Sequence, residues 1–118
     1  MKAVVSLEGK TYTRIPTLVQ NSYGYDVYFY IKNEDDSAVD LSNIETATLD
    51  IKDIDTSTVK TIGLTVSDAA NGELTWTVSD TDLADTGVYE AEINLINATT
   101  GLAYRVKLGL FLIVEEIS

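Results

Sequence analysis

Thr65 to Ile96 reads TVSDAANGELTWTVSDTDLADTGVYEAEINLI, and it holds a turn, an alternating strand, a polar corner and a second alternating strand. Asn71-Gly72 marks a tight turn, because both residues tolerate positive φ. Leu74, Trp76 and Val78 alternate with Thr75, Thr77 and Ser79, so a period of two puts the apolar residues on one face and the hydroxyls on the other. After the polar connection from Asp80 to Gly87, with Leu83 as its apolar anchor, Tyr89, Ala91, Ile93 and Leu95 share a face. Glu90, Glu92 and Asn94 point the other way. Both runs read as half-buried antiparallel strands.

The run Asp85-Thr86-Gly87-Val88-Tyr89-Glu90-Ala91 resembles the tyrosine corner of immunoglobulin-like sandwiches, in which a Tyr opening a late strand returns its hydroxyl to backbone just upstream. Ala91 stands where the disulfide-forming Cys of that motif would be. Trp76 lies on the strand before the corner. Trp76, Asp85, Gly87 and Tyr89 are therefore expected to serve core and corner.

The same alternation recurs along the chain. Ala3, Val5 and Leu7 precede a turn at Glu8-Gly9-Lys10, and Thr11 to Val19 reads as an edge segment in which Pro16 removes one ladder donor. Val27, Phe29 and Ile31 face inward and Tyr28 and Tyr30 outward. Ala47, Leu49 and Ile51 form another inward face. Ile62, Leu64 and Val66 read as one strand leading into the central stretch. In the last strand Tyr104, Val106, Leu108, Leu110, Leu112 and Val114 are placed inward, with Arg105, Lys107, Phe111 and Ile113 outward. No helical period appears. The expectation is an all-β, immunoglobulin-like antiparallel β-sandwich of about seven to nine strands without a disulfide.

The chain has 118 residues, no Cys and no His, with 19 acidic against 8 basic residues and a net charge of −11. That length suits one domain over 1–118, standing alone or as the N-terminal part of a longer protein. Without Cys there are no disulfides and no thiolate metal sites, and without His no Ser–His or Cys–His nucleophile system. The acidity argues against nucleic acid and anionic lipid as partners. No apolar run approaches the ~20 residues of a membrane-spanning helix, and the N-terminus lacks the apolar core of a secretory signal.

Two acidic clusters deserve weighing as calcium sites, since hard cations take converging carboxylates. One is Glu34, Asp35, Asp36 and Asp40; the other is Asp80, Asp82 and Asp85. Neither has the twelve-residue EF-hand spacing, and solvated charge in turns is the plainer reading, so no cofactor is expected. The aromatic residues suggest a protein–protein interface instead. Tyr28 and Tyr30 share an outward face, Tyr12, Tyr23 and Tyr25 lie in or near the preceding loop, and Phe111 and Ile113 are expected outward on the last strand. Aromatics concentrate in interface centres. The plainer alternative is that the N-terminal segment or a loop covers them.

Four segments together resemble the N-terminal immunoglobulin-like domain of baseplate upper proteins from phages of Gram-positive bacteria. They are Asp36-Ser37-Ala38-Val39-Asp40-Leu41, Ala47 to Lys52, Asp68 to Leu74, and Gly87 to Ile93. The likeness runs from about Val27 to the C-terminus; the family commonly carries Gly in the first of these turns, where Ser37 stands here. The resemblance implies a non-enzymatic module of the phage tail that docks on other tail and baseplate proteins, supports receptor-binding proteins and joins a homo-oligomer in the particle. It also implies assembly in the host cytoplasm and a final place on the virion. A different class of function is a carbohydrate-binding or adhesion sandwich on a bacterial surface, which would need exposed Tyr or Trp as stacking platforms.

Overall fold

A computed structural model describes residues 1–117. The described residues form ten strands: β1 (Lys2–Leu7), β2 (Lys10–Tyr12), β3 (Leu18–Val19), β4 (Asp26–Lys32), β5 (Ile44–Asp53), β6 (Val59–Gly63), β7 (Thr65–Asp68), β8 (Glu73–Thr77), β9 (Gly87–Asn97) and β10 (Ala103–Val114). They make two five-stranded sheets, ordered β2-β1-β4-β8-β7 and β3-β10-β9-β5-β6. Every pairing is antiparallel except β3 with β10, which is parallel.

The core lies between the sheets because each long strand offers one apolar face. Val5, Val27, Phe29, Ile31, Leu74 and Trp76 come from the first sheet. Leu49, Ile51, Tyr89, Ile93, Leu95 and Val106 answer them from the second. The β4 pattern, with Val27, Phe29 and Ile31 buried between more exposed neighbours, is the period-two alternation that its sequence shows.

The sheets share their edges. Residues 10–19 supply β2 at one edge of the first sheet and β3 at one edge of the second, with buried Ile15 between them. Residues 59–68 do the same at the other edges through β6 and β7, and Leu64 donates its N–H to the Ala47 carbonyl where the chain crosses. The single strand expected over Ile62, Leu64 and Val66 is thus two. Burial keeps its alternation straight through the crossing, so the pattern cannot reveal that the backbone has changed partners. These two crossings account for a strand count above the expected seven to nine.

The Asn71-Gly72 turn is also more elaborate than a two-residue hairpin. Ala69–Asn71 form a short 3-10 turn, capped by the Asp68 side chain and closed by Gly72 in the left-handed region at φ 69°. A Cβ on Gly72 would lie 2.5 Å from the Ile31 carbonyl oxygen and 2.9 Å from that of Val39. The turn is therefore packed on the end of β4, where the Ile31 N–H bonds the Gly72 carbonyl at 2.8 Å. In the acidic turn after β4, the residue with positive φ is Asp36 at 69°, not Ser37.

One expectation about β10 is overturned. Its ladder with β9 slips between Lys107 and Gly109, leaving Leu108 as an extra residue, and Gly109 takes φ 80°. Such a bulge shifts the phase of everything after it. Phe111 and Ile113, expected outward, are buried at 4% and 3% exposure, whereas Leu110 and Leu112, expected inward, are 44% and 43% exposed. Val114 follows them onto the outer face.

Candidate interaction surface

The corner between β8 and β9 is held by two side chains. Tyr89 donates its hydroxyl to the Asp85 carbonyl at 2.7 Å, and its ring stacks on Phe111 with centroids 5.7 Å apart. Burial of the ring, with the carboxylates of Asp53 and Asp85 nearby, pushes the Tyr89 hydroxyl above its ordinary pKa. Trp76, at 0% exposure, donates its indole N–H to Asp82 Oδ2 at 2.9 Å. The same oxygen accepts the Ser79 N–H at 2.9 Å. Asp82 thus ties the corner loop to the core tryptophan, a role its place among acidic loop residues did not announce.

Beneath the corner lies a cleft of about 340 Å³ lined by Asp53, Thr56, Lys60, Asp82, Asp85 and Tyr89, among others. Most of its polar groups already have partners. The Lys60 ammonium donates to the carbonyls of Thr81 and Asp82, and Asp53 Oδ1 accepts the N–H groups of Asp55 and Thr56. These contacts tie down loops. Nothing among them pairs a nucleophile with a base.

The acidic clusters are likewise local. Asp35 accepts from the Ser37 N–H and hydroxyl, Asp40 from those of Ser42, and Asp36 pairs with Lys2 at 2.6 Å. Hydrogen bonding from Ser37 lowers the Asp35 pKa, that from Ser42 lowers Asp40, and the Lys2 ammonium lowers Asp36. Among the described residues no three carboxylates are grouped as metal ligands would be.

The tyrosines divide. Tyr12 and Tyr25 pack against the core, and the Tyr25 hydroxyl lies 2.8 Å from Ser22 Oγ. Tyr23 is 64% exposed in the loop before β4. Tyr28 and Tyr30 sit half-buried on the outer face of the first sheet. There Tyr30 pairs with Val4 and Glu73, and Tyr28 with Ser6 and Thr75. The N-terminal strand runs beside them in the sheet and does not cover them. Burial, with the Glu73 carboxylate next to it, raises the Tyr30 pKa. This face is otherwise hydroxyl-rich and internally bonded, as in the contacts of Thr75 with Ser67, Ser67 with Glu73, and Thr77 with Asp26.

The outer face of the second sheet carries what sequence reasoning missed. The β10 bulge places Leu110, Leu112 and Val114 there in a row. Val114 lies beside exposed Val19 of β3, and Leu112 opposite Val88 of β9. Towards β6 the face turns polar, with Glu90 paired to Leu110 on one side and Lys52 on the other. The available signal was Gly109 inside a strand pattern, which marks a bulge. No helix among the described residues is long and apolar enough to cross a membrane.

Residues 10–107 match the family model of the BppU N-terminal domain. No curated protein matches the chain.

Proposed function

This chain belongs to the BppU N-terminal domain family, a family of phage baseplate upper proteins, and on that premise we propose that it is a non-enzymatic module that docks on other baseplate proteins and supports those that bind the host receptor. The observation that carries this reading is the family match over residues 10–107 of a two-sheet body. The chemistry of the chain supports it: there is no His or Cys, and the cleft beneath the corner commits Lys60 and Asp53 to loop contacts. In the assembled particle the domain works as part of a homo-oligomer, after assembly in the host cytoplasm. The adhesion reading loses its best stacking platform, because the one tryptophan is fully buried.

Co-expression with the other baseplate proteins of the same phage tests this. The expected result is co-elution in a complex whose mass exceeds that of any single component. Elution of the domain alone from every such mixture would overturn the docking reading.

A further inference from the structure

We propose that Asn71-Gly72 is a deamidation site that the fold keeps unreacted, with Asp68 as the side chain that holds it, and that the turn cannot accommodate the products of its conversion.

The chemistry starts from the sequence. Of the six asparagines, Asn71 alone is followed by glycine. Deamidation begins when the backbone nitrogen of the next residue attacks the asparagine Cγ. That nitrogen bonds to Cγ and gives up its proton to solvent base. The Cγ–Nδ2 bond breaks, and the side-chain nitrogen leaves as ammonia. Water then opens the succinimide ring at one of its two carbonyls, giving either aspartate or an isoaspartate whose chain runs through Cβ and Cγ. A following glycine leaves the attacking nitrogen unshielded and its backbone free to turn. Asn71 is also exposed, so water and base reach it. Neither sequence nor access protects this pair.

Conformation does. Asn71 is the last residue of the 3-10 turn Ala69–Asn71. Backbone of that kind holds ψ at roughly −20 to −30°, far from the value a succinimide ring requires. The attacking nitrogen is engaged, since the Gly72 N–H donates to the Ala69 carbonyl at 3.2 Å. So is the leaving group: Asn71 Nδ2 donates to Asp68 Oδ2 at 2.8 Å, and Asp68 Oδ1 accepts the Asn71 backbone N–H at 3.4 Å. The far side of Gly72 is fixed as well, its carbonyl accepting the Ile31 N–H at 2.8 Å. Ring closure therefore waits for the turn to open.

Neither product fits the closed turn. Aspartate at position 71 puts an acceptor where Nδ2 now donates to Asp68 Oδ2, so two carboxylates would face each other. Isoaspartate adds a carbon to the chain ahead of Gly72. That residue is buried, and the carbonyl oxygens of Ile31 and Val39 stand 2.5 and 2.9 Å from where a Cβ would be. Each product loosens the turn from the end of β4, and the change runs one way.

The test incubates the domain at mildly alkaline pH, folded and in urea. Asn71 is followed by peptide mapping with mass spectrometry, and isoaspartate by enzymatic methylation. In urea Asn71 should convert faster than any other asparagine. In the folded domain it should convert at least about tenfold more slowly, by the opening equilibrium of the turn. Asp68→Ala should raise the folded rate several-fold, with Trp76 emission confirming that the variant folds. Asp68→Asn keeps one acceptor and should lie between the two. Tyr89→Phe weakens the corner beyond the other end of β8 and should leave the Asn71 rate at the wild-type value. Asn71→Asp should lower the melting temperature, and adding Asp68→Asn should restore part of it by returning a donor to the pair. Equal rates in the folded and urea-unfolded wild type overturn the protection. Wild-type rates in both Asp68 variants overturn the part given to Asp68. Acceleration by Tyr89→Phe equal to that by Asp68→Ala makes the protection global and overturns the turn as its source. An unchanged melting temperature in Asn71→Asp overturns the misfit of the product.

Discussion

Two side chains that look alike in their loop contacts should differ in what their loss costs. Tyr89→Phe removes the bond to the Asp85 carbonyl but keeps the ring against Phe111, so it should cost about 1 kcal/mol. Asp82→Ala strands the indole N–H of a tryptophan at 0% exposure and removes a cap on Ser79. A buried donor left unpaired costs more than a bond exchanged with water, and about 2–3 kcal/mol is expected. Urea unfolding followed by Trp76 emission reads both; equal costs would show that Asp82 does not hold the indole. Tyr89 also gives a pH dependence. Its folded pKa lies above the ordinary 10.0, so the unfolded chain releases this proton first as pH rises. The contribution is full below pH 10.0 and is lost above it, and Tyr89→Phe should make the stability curve flatter in that alkaline window. Gly72→Ala belongs at this scale too: a left-handed φ and two carbonyls under 3.0 Å from the new Cβ should cost on the order of 3 kcal/mol by thermal unfolding.

At the scale of the strand, the decisive feature is the β10 bulge. If the phase is as described, Phe111→Ala should cost about 3–5 kcal/mol and Leu112→Ala less than about 1. An unbroken alternation through Gly109 would reverse that order, so chemical denaturation of the two variants separates the two registers. The reason this was hidden is specific. After Gly109, Leu110, Leu112 and Val114 on one parity and Phe111 and Ile113 on the other are all apolar, so that part of the strand offers two hydrophobic faces and no polar residue to fix which one turns inward. Where polar residues did alternate, as in Leu74-Thr75-Trp76-Thr77 and Phe29-Tyr30-Ile31, the inward set was readable and proved buried. The sheet crossing at Gly63-Leu64 was hidden for a related reason. Alternation records which side faces the core, and a chain passing from one sheet to its neighbour keeps the core on the same side. The corner was legible because Tyr89 and Gly87 carry a local geometry in their spacing, and the hydrogen bond to Asp85 is there. The apolar row of the candidate surface depended on the bulge and shared its obscurity.

The whole molecule is a compact acidic body, and its response to ions follows from where the carboxylates point. Asp35, Asp36 and Asp40 each hold donors of their own turn or a paired lysine, which lowers their pKa in the fold. Their contribution is present above the ordinary 3.8 and lost as pH falls through the lowered values, because the unfolded chain takes up those protons first. Acid unfolding should therefore begin below that range, while the approach from neutrality changes little. At neutral pH the opposing term is self-repulsion at net charge −11, which added salt screens, so the melting temperature should rise with sodium chloride. A bound calcium ion would require several carboxylates to leave their present donors and converge, and Asp82 would have to release the Trp76 indole. Calcium should consequently raise the melting temperature no more than magnesium does at the same millimolar concentration. A calcium-specific rise, abolished by Asp82→Asn or Asp40→Asn, would show that the carboxylates of the corresponding turn can rearrange into a site.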